Sequence, residues 1–238
     1  MSDDSSPKIC KNCGAEIESP FCPRCGQCAA VDVPTVQTFL HDAFAAFFSV
    51  DAKIWRTLGR LFTKPGQLSV DYVEGRRISN IAPVTLYFWL QTICFLTFAF
   101  FLPGMAGQAT DRARSLLVMT GVLAIILAVI TFYRKRKFVE HFVFSLHLSS
   151  FLLLVLTFDY ALVPVITNYL QKTGHVTHAF DPGPLMTKVA ITLMMPYTAF
   201  SLRRFYGDGY LLAIVNSIII YYSYFVILVF VTRWFHLK

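Results

Sequence analysis

Long apolar stretches occupy most of residues 83–238 and set the main expectation for the fold. A helix needs about 20 consecutive, mostly apolar residues to cross the hydrocarbon core of a bilayer. Five stretches approach that length, and we predict that they form a bundle of transmembrane helices. The predicted spans are residues 84–102, 115–133, 142–168, 185–202 and 211–232. The span 185–202 contains Lys188 and Pro196, so a re-entrant hairpin is the alternative for that stretch.

Residues 35–82 show a different pattern, in which apolar and cationic positions follow a helical period. At about 100° per residue, the apolar side chains between Phe39 and Phe62 share one half of the helical wheel. The opposite half carries the cations Lys53, Arg56 and Arg60. Amphipathic helices of this kind lie in the membrane interface with their cations near anionic headgroups, or pack on the protein's own bundle. The pattern favours neither arrangement, and the two can coexist.

Composition supports a membrane protein. Of the 238 residues, 55% are hydrophobic and only 15% are charged, which lies outside the usual range of soluble domains. Residues 1–82 hold nine of the 21 Lys/Arg and nine of the 14 Asp/Glu, so the net charge of +7 arises entirely in the membrane half. A balanced N-terminal half lacks the basic surface that nucleic acids require, so nucleic acid is not an expected partner.

The distribution of basic residues predicts the orientation in the membrane. Clusters at 53–77, 134–137 and 203–204 all fall on one side of five spans, and the positive-inside rule assigns that side to the cytoplasm. The N-terminus is then cytoplasmic and the C-terminus external. The first thirty residues lack the apolar core of a secretory signal, so the first span is expected to act as an uncleaved anchor.

Six cysteines are present, and four of them form two CxxC pairs near the N-terminus, Cys10/Cys13 and Cys22/Cys25. In a reducing compartment such pairs more often bind metal than form disulfides. Four thiolates complete a tetrahedral zinc shell and leave no open position, which predicts a structural zinc site. Iron is also accepted by four thiolates, and a redox dithiol is a further alternative. Cys28 is interpreted as a spare thiol.

A segment of about 20 residues cannot bury a core of its own, so a bound metal is expected to supply its folding free energy. We call residues 10–28 the cysteine module. A disordered tail, residues 1–9, is predicted before it, and a linker, residues 29–34, after it. The predicted fold is an all-α integral membrane protein in which this zinc ribbon and the helices of residues 35–82 precede the bundle.

Several short motifs resemble a family of bacterial, multi-pass membrane proteins with a zinc ribbon, catalogued only as a domain of unknown function. The motifs are CKNCG at residues 10–14, FCPRCGQ at 21–27, HD at 41–42, KPG at 64–66 and YVEGRR at 72–77. The resemblance covers roughly residues 10–90 and implies a bacterial inner-membrane location and a zinc ribbon. It implies no reaction and no catalytic residue.

A cationic group precedes the first span and has two interpretations. Lys64, Arg76 and Arg77 lie close in sequence to Tyr72. The simpler interpretation is topological, because Arg76 and Arg77 would hold the cytoplasmic end of the first span. The functional interpretation is that the four residues form a cradle for a phosphate or an anionic lipid.

Ionisable residues within membrane spans are rare here, and they are candidates for function. Asp159 and Lys188 fall near the outer ends of the third and fourth spans, where a pair would lower the free-energy penalty of burying either charge. The alternative is that each meets water or the membrane surface separately. His175 and His178, in an outer loop, are weak evidence for a metal site.

The leading functional hypothesis is a non-enzymatic inner-membrane protein whose zinc ribbon and interfacial helices mediate protein interaction or assembly. Its expected partners are the lipid bilayer and a cytoplasmic or membrane protein, and a homo-oligomer is compatible with the pattern. A small transporter or lipid-handling protein is the first alternative, with Asp159, Lys188 and the cationic group as its working residues. A membrane enzyme acting on lipid-linked substrates is the second.

Overall fold

The computed structural model describes most of the chain, with gaps near the N-terminus and in one loop. It describes the backbone of residues 8–17, 19–29, 53–173 and 183–236. The side chains of residues 8, 104–106, 183–191, 228 and 231–236 are outside that description. The first amphipathic segment predicted within 35–82, including the HD motif, therefore lies outside the described residues.

The cysteine module is built on a small hairpin. Strand β1 (Lys8–Ile9) pairs antiparallel with β2 (Glu16–Ile17), and an isolated bridge joins Phe21 to Cys28. Among the described residues of this part of the chain, the buried hydrophobic cluster consists of Cys10, Ile17 and Cys22. The module therefore has very little core, as its length predicts.

Two short helices connect the module to the bundle: α1 (Lys53–Thr63) and α2 (Gln67–Val73). Gly66, between them, has φ of 77°, and an added Cβ there would lie 2.7 Å from the backbone oxygen of Ser201. Only glycine combines this left-handed backbone with so close an approach to another helix. The KPG motif thus places α2 directly against the bundle.

Both short helices pack on the bundle through apolar side chains. Leu61 and Leu68 belong to the same buried cluster as the residues of the long helices. The hydroxyl of Tyr197 donates to the Leu61 carbonyl at 2.9 Å. Trp55, in contrast, is 78% exposed. Of the two arrangements considered, packing on the bundle is therefore present, and the exposed edge of α1 remains available to a membrane interface.

Five long helices follow: α3 (Pro83–Phe101), α4 (Ala109–Ile130), α5 (Phe138–Lys172), α6 (Gly183–Tyr206) and α7 (Tyr210–His236). One 3-10 turn, Pro103–Gln108, joins α3 to α4, and a second, Phe132–Arg134, follows α4. Helix α5 lies at the centre and contacts α3, α4 and α6, while α7 contacts α4 and α6. Helix α5 has 35 residues, and at about 1.5 Å per residue its length exceeds the thickness of a hydrocarbon core, so α5 extends beyond that core.

The predicted all-α membrane fold is confirmed. Among the described residues, four helices are long and apolar enough to cross a membrane: α3, α4, α5 and the Tyr210–Ile227 part of α7. The fifth predicted span, 185–202, lies within α6, which is not among those four, so that span stays a prediction. Helix α6 continues through Pro196 without a break, unlike the two short arms of a re-entrant hairpin.

Polar contacts link the buried faces of the helices. The Thr120 hydroxyl lies 3.0 Å from the Ser149 hydroxyl and 3.3 Å from the Tyr87 hydroxyl, within hydrogen-bond distance of both, which joins α3, α4 and α5. His147, deep in α5, is hydrogen-bonded to Ser69 of α2 at 2.9 Å. This contact gives the buried His147 a hydrogen-bond partner on α2.

Basic residues gather at the end of the bundle where α1 and α2 lie. Arg134 forms a 2.6 Å ion pair with buried Asp208, and Arg136 donates to the Phe205 carbonyl at 2.7 Å. Arg204 donates to the Pro65 carbonyl at 2.9 Å. The three basic clusters that the sequence assigns to one side of the membrane are thus at one end of the bundle.

Candidate metal centre

Two similar turns position the four cysteines. In the first, the Cys10 N–H donates to the Ala15 carbonyl and the Gly14 N–H to the Cys10 carbonyl, at 2.8 and 2.9 Å. In the second, the Cys22 N–H donates to Gln27 and the Gly26 N–H to Cys22, at 2.7 and 2.9 Å. Both glycines have φ near +73°, which other residues rarely adopt. The two CxxCG motifs therefore build two equivalent knuckles that face each other.

The four sulfur atoms have the spacing of a metal site. The Sγ atoms of Cys10 and Cys25 are 3.6 Å apart, those of Cys13 and Cys22 are 3.5 Å apart, and all four lie within 4.8 Å of one another. A tetrahedral zinc–thiolate site with bonds of about 2.3 Å requires sulfur atoms about 3.8 Å apart. The four cysteines could therefore hold one metal ion with little movement.

Ionisation of the thiols also indicates a cation site. Burial raises the pKa of Cys10, but hydrogen bonds from the backbone of Cys13 and Asn12 and from neighbouring thiols outweigh it and lower the pKa to about 7. A backbone hydrogen bond from Ala15 lowers the pKa of Cys13, yet burial and the three other thiols raise it to about 12. Four thiolates this close repel one another, so full ionisation requires a compensating cation.

Cys28 lies outside this group. It is exposed, and its backbone pairs with Phe21 rather than turning toward the other sulfurs. Cys94, the sixth cysteine, is buried within α3. The two residues therefore have the placements expected of a spare thiol and a small apolar side chain.

The module is attached to the rest of the protein through Gln27. This side chain is only 4% exposed, and its amide donates to the Gly75 carbonyl at 2.6 Å. Its amide oxygen accepts from the Arg77 N–H at 3.4 Å. A second contact runs from the Ser79 hydroxyl to the Asn12 side-chain oxygen, at 2.9 Å. We call these contacts the docking joint; they bring together the CGQ and YVEGRR motifs.

Asp71 organises the surface beside the docking joint. It is 3% exposed, and its carboxylate accepts from Gln67 at 2.8 Å, from Arg60 at 2.9 Å and from Arg76 at 2.7 and 3.0 Å. Burial disfavours the charged form of Arg76, but its hydrogen bonds to Asp71 and Glu74 outweigh this and raise its pKa. Asp71 is thus the anionic centre of an otherwise cationic region.

The phosphate cradle predicted from Lys64, Tyr72, Arg76 and Arg77 stays a prediction. Arg76 pairs with Asp71 and with Glu74, at 2.7 and 2.5 Å. Arg77 stacks over the Tyr72 ring at 4.9 Å and donates to the Tyr72 carbonyl at 3.3 Å. Lys64 is exposed. The two arginines therefore engage different partners, and both lie next to the docking joint.

The predicted Asp159–Lys188 pair stays a prediction. Asp159 is buried in the C-terminal half of α5, and its Oδ2 has no hydrogen-bond partner among the described residues. The side chain of Lys188 lies outside the described residues, as do His175 and His178. A cationic partner on α6 would donate a hydrogen bond to this Asp159 oxygen.

Sequence reasoning missed the residues of the docking joint, Asn12, Gln27 and Ser79, and the buried acid beside it, Asp71. Asp71 carried a local signal, since it is an acid within the short apolar segment of α2, four residues after Gln67. Gln27 carried no local signal beyond its place in the FCPRCGQ motif. Its partner is 48 residues away, and no local periodicity specifies such a contact.

Comparison with known proteins gives one match. A family model described as a protein of unknown function (DUF3667) matches residues 51–95, which contain α1, α2 and most of α3. No curated protein and no solved structure matches the chain. The chain is therefore similar to that family over the segment that docks the cysteine module, while the four cysteines themselves lie outside the match.

Proposed function

We propose that the protein is a non-enzymatic, multi-pass protein of a bacterial cytoplasmic membrane whose cysteine module is a structural zinc ribbon that mediates protein interaction or assembly. The observation that carries this proposal is the closed set of four cysteines on a module held against the bundle by Gln27. Four protein ligands leave zinc no position for a substrate, so the metal's role is to fold the module.

The orientation follows from the basic end of the bundle. Arg134, Arg136 and Arg204 all lie at the end that carries α1, α2 and the module. Because loops rich in Lys and Arg stay in the cytoplasm, the module is cytoplasmic. With α6 as a fifth span, the C-terminus is external.

Reporter fusions test this orientation. The reporter is a phosphatase that is active only outside the cytoplasm. Fused after residue 238 it is expected to be active, and fused before residue 1 it is expected to be inactive. An inactive C-terminal fusion would mean that α6 does not cross the membrane, or that the bundle is inverted. The N-terminal fusion distinguishes those two cases.

A partner would find exposed apolar side chains on the module and on strand β1, which precedes it. Ile9 is 66% exposed and Phe21 is 61% exposed, although the module as a whole buries few hydrophobic residues. Large apolar side chains on a rigid, metal-clamped unit are typical anchors for a partner protein. The docking joint uses polar residues, so it leaves these two side chains available.

Quantitative co-purification tests the interaction. The full-length protein, an Ile9→Ser/Phe21→Ser variant and a Glu16→Ser control are extracted in mild detergent and their bound proteins compared by mass spectrometry. We expect a defined set of proteins to be retained by the control and lost from the double variant, with zinc content unchanged in both. Retention of the same proteins by the double variant would overturn the assignment of these anchors.

A further inference from the structure

A pocket lies between the cysteine module and the two short helices. It has a volume of about 290 Å³ and is lined by Asn12 from the module, Arg56 and Arg60 from α1, Asp71 from α2, and Arg76 and Ser79 from the segment that follows. Liquid water takes about 30 Å³ per molecule, so the pocket accommodates a phosphate group with several waters. Three separate parts of the chain contribute to its walls.

The lining carries more positive than negative charge. Three guanidinium groups face one carboxylate, and Asp71 pairs with two of them, Arg60 and Arg76. Arg56 is exposed and forms no ion pair within the part of the chain that the structure describes. Glu74, which also pairs with Arg76, is not part of the lining. A surplus of cationic charge therefore remains at the pocket.

The hydrogen-bond donors of the pocket are held in place before any ligand arrives. Asp71 fixes the guanidinium planes of Arg60 and Arg76, and Arg60 also donates to Asn80 at 3.2 Å. Ser79 donates to the Asn12 side-chain oxygen, which leaves the Asn12 amide group as a donor. Arginine forks and amide groups match the geometry of phosphate oxygens, and fixing them beforehand reduces the entropy lost on binding.

The pocket also has a suitable location. Arg56 neighbours the highly exposed Trp55 on α1, at the end of the bundle where the first membrane helix begins. Tryptophan and arginine side by side on an amphipathic helix are typical of the headgroup region of a bilayer. A phosphate attached to a lipid could reach the pocket from the membrane, and a free phosphate could reach it from water.

We propose that this pocket binds a phosphate group and that the docked cysteine module completes it through Asn12. Arg56 supplies a charge that no carboxylate among the described residues pairs with, while Arg60 and Arg76 supply oriented donors held by Asp71. Undocking the module removes Asn12 and separates Ser79 from its partner, so phosphate binding depends on the docking joint. This inference does not require that the module recruit a protein.

Thermal unfolding of the full-length, zinc-loaded protein in a nonionic detergent tests the proposal. The probes are short-chain phosphatidylglycerol, short-chain phosphatidylcholine and inorganic phosphate, each compared with chloride at equal ionic strength. We expect a saturable rise in the unfolding temperature with an anionic phosphate probe. Stabilisation by phosphatidylglycerol alone identifies a lipid headgroup as the ligand, and stabilisation by inorganic phosphate as well identifies phosphate in solution.

Two variants with equal loss of charge make the test specific. Arg56→Gln removes the pocket arginine that Asp71 does not engage and should weaken the apparent affinity about tenfold, because a charge-assisted hydrogen bond is lost. Lys64→Gln removes an exposed cation outside the pocket and should leave the affinity unchanged. Equal effects of the two variants, or no saturable stabilisation by any probe, would overturn the proposal.

A third variant tests the part played by the module. Gln27→Ala breaks the docking joint without removing a cysteine or a charge, so zinc should be retained while phosphate affinity falls. Unchanged affinity in Gln27→Ala would overturn the claim that the module completes the pocket. An affinity lost in both Gln27→Ala and Arg56→Gln, and kept in Lys64→Gln, would support it.

Discussion

The cysteine module and the membrane bundle achieve a defined fold in different ways. The module has a buried cluster of three residues, Cys10, Ile17 and Cys22, two of which are metal-ligand candidates. The bundle has a continuous apolar core that extends from Leu61 in α1 to Ile220 in α7. Packing therefore stabilises the bundle, and we propose that metal–thiolate bonds supply the free energy of folding in the module.

The contact between the two regions is polar, and this difference has a consequence. Gln27, Asn12 and Ser79 join the module to the segment after α2 by hydrogen bonds, each contributing about 1 kcal/mol. Few apolar side chains would be exposed if the module moved away. We therefore expect the two regions to respond separately to mutation, and the following variants test that expectation.

Loss of a cysteine ligand should have the largest effect. A structural zinc site contributes about 10 kcal/mol or more to folding of the module, so Cys22→Ser should lose the metal and unfold residues 10–28. Metal analysis should show about one zinc per chain in the wild type and none in the variant. The unfolding temperature of the bundle should change little; a bundle that also melts would show that the regions are one cooperative unit.

Cys28→Ser is the matched control for the metal site. Its exposed thiol lies outside the group of four sulfurs, so the zinc content should stay the same. Zinc lost from Cys28→Ser but retained by Cys22→Ser would assign Cys28, rather than Cys22, as the fourth ligand.

Removal of the buried acid in α2 should destabilise the bundle end. Asp71→Ala leaves Arg60 and Arg76 without their shared partner and is expected to lower the free energy of unfolding by about 4 kcal/mol. Asp111→Asn, which breaks an exposed 3.7 Å pair with Arg114, should change it by less than about 1 kcal/mol. Denaturant titration in mixed micelles measures both, and similar values would contradict a structural role for Asp71.

A methyl group at Gly66 should have the next largest effect. Gly66→Ala introduces both strain at a left-handed backbone and a clash with the Ser201 carbonyl. Together they should lower the free energy of unfolding by about 2–3 kcal/mol. Gly207 has nearly the same φ but no atom within 4 Å of an added Cβ. Gly207→Ala should therefore lose only about 1 kcal/mol, from backbone strain alone. Equal unfolding temperatures for the two variants would show that α2 does not approach α6 closely.

The smallest effect is expected at the docking joint. Gln27→Ala removes two hydrogen bonds, so global stability should fall by only about 1–2 kcal/mol while zinc stays bound. Hydrogen exchange of the Arg77 amide should accelerate, because its acceptor is lost. Gln171→Ala, at an exposed helix end, serves as the control. An unchanged exchange rate at Arg77 would mean that the joint does not form in solution.

The sequence alone predicted the membrane helices and the group of four cysteines because each depends on a local criterion. A span is recognised by the length of an apolar run, and the four cysteines by the spacing within two CxxC pairs. The predicted bounds, however, are those of membrane spans and not of helices. Helix α4 begins at Ala109 rather than near residue 115, because its first turns include Asp111, Arg112 and Arg114, and hydropathy detects lipid contact rather than helical hydrogen bonding.

Only the tertiary structure decided which polar residues meet. The sequence marked Arg76 and Arg77 as one cationic group, whereas packing gives Arg76 to Asp71 and Arg77 to Tyr72. Packing also places Gln27 on Gly75, 48 positions along the chain, and Gly66 against Ser201, 135 positions along the chain. Such choices depend on how helices from distant segments are oriented against one another. The pattern of apolar and polar residues determines which face of a helix is buried, but not which partner that face will contact.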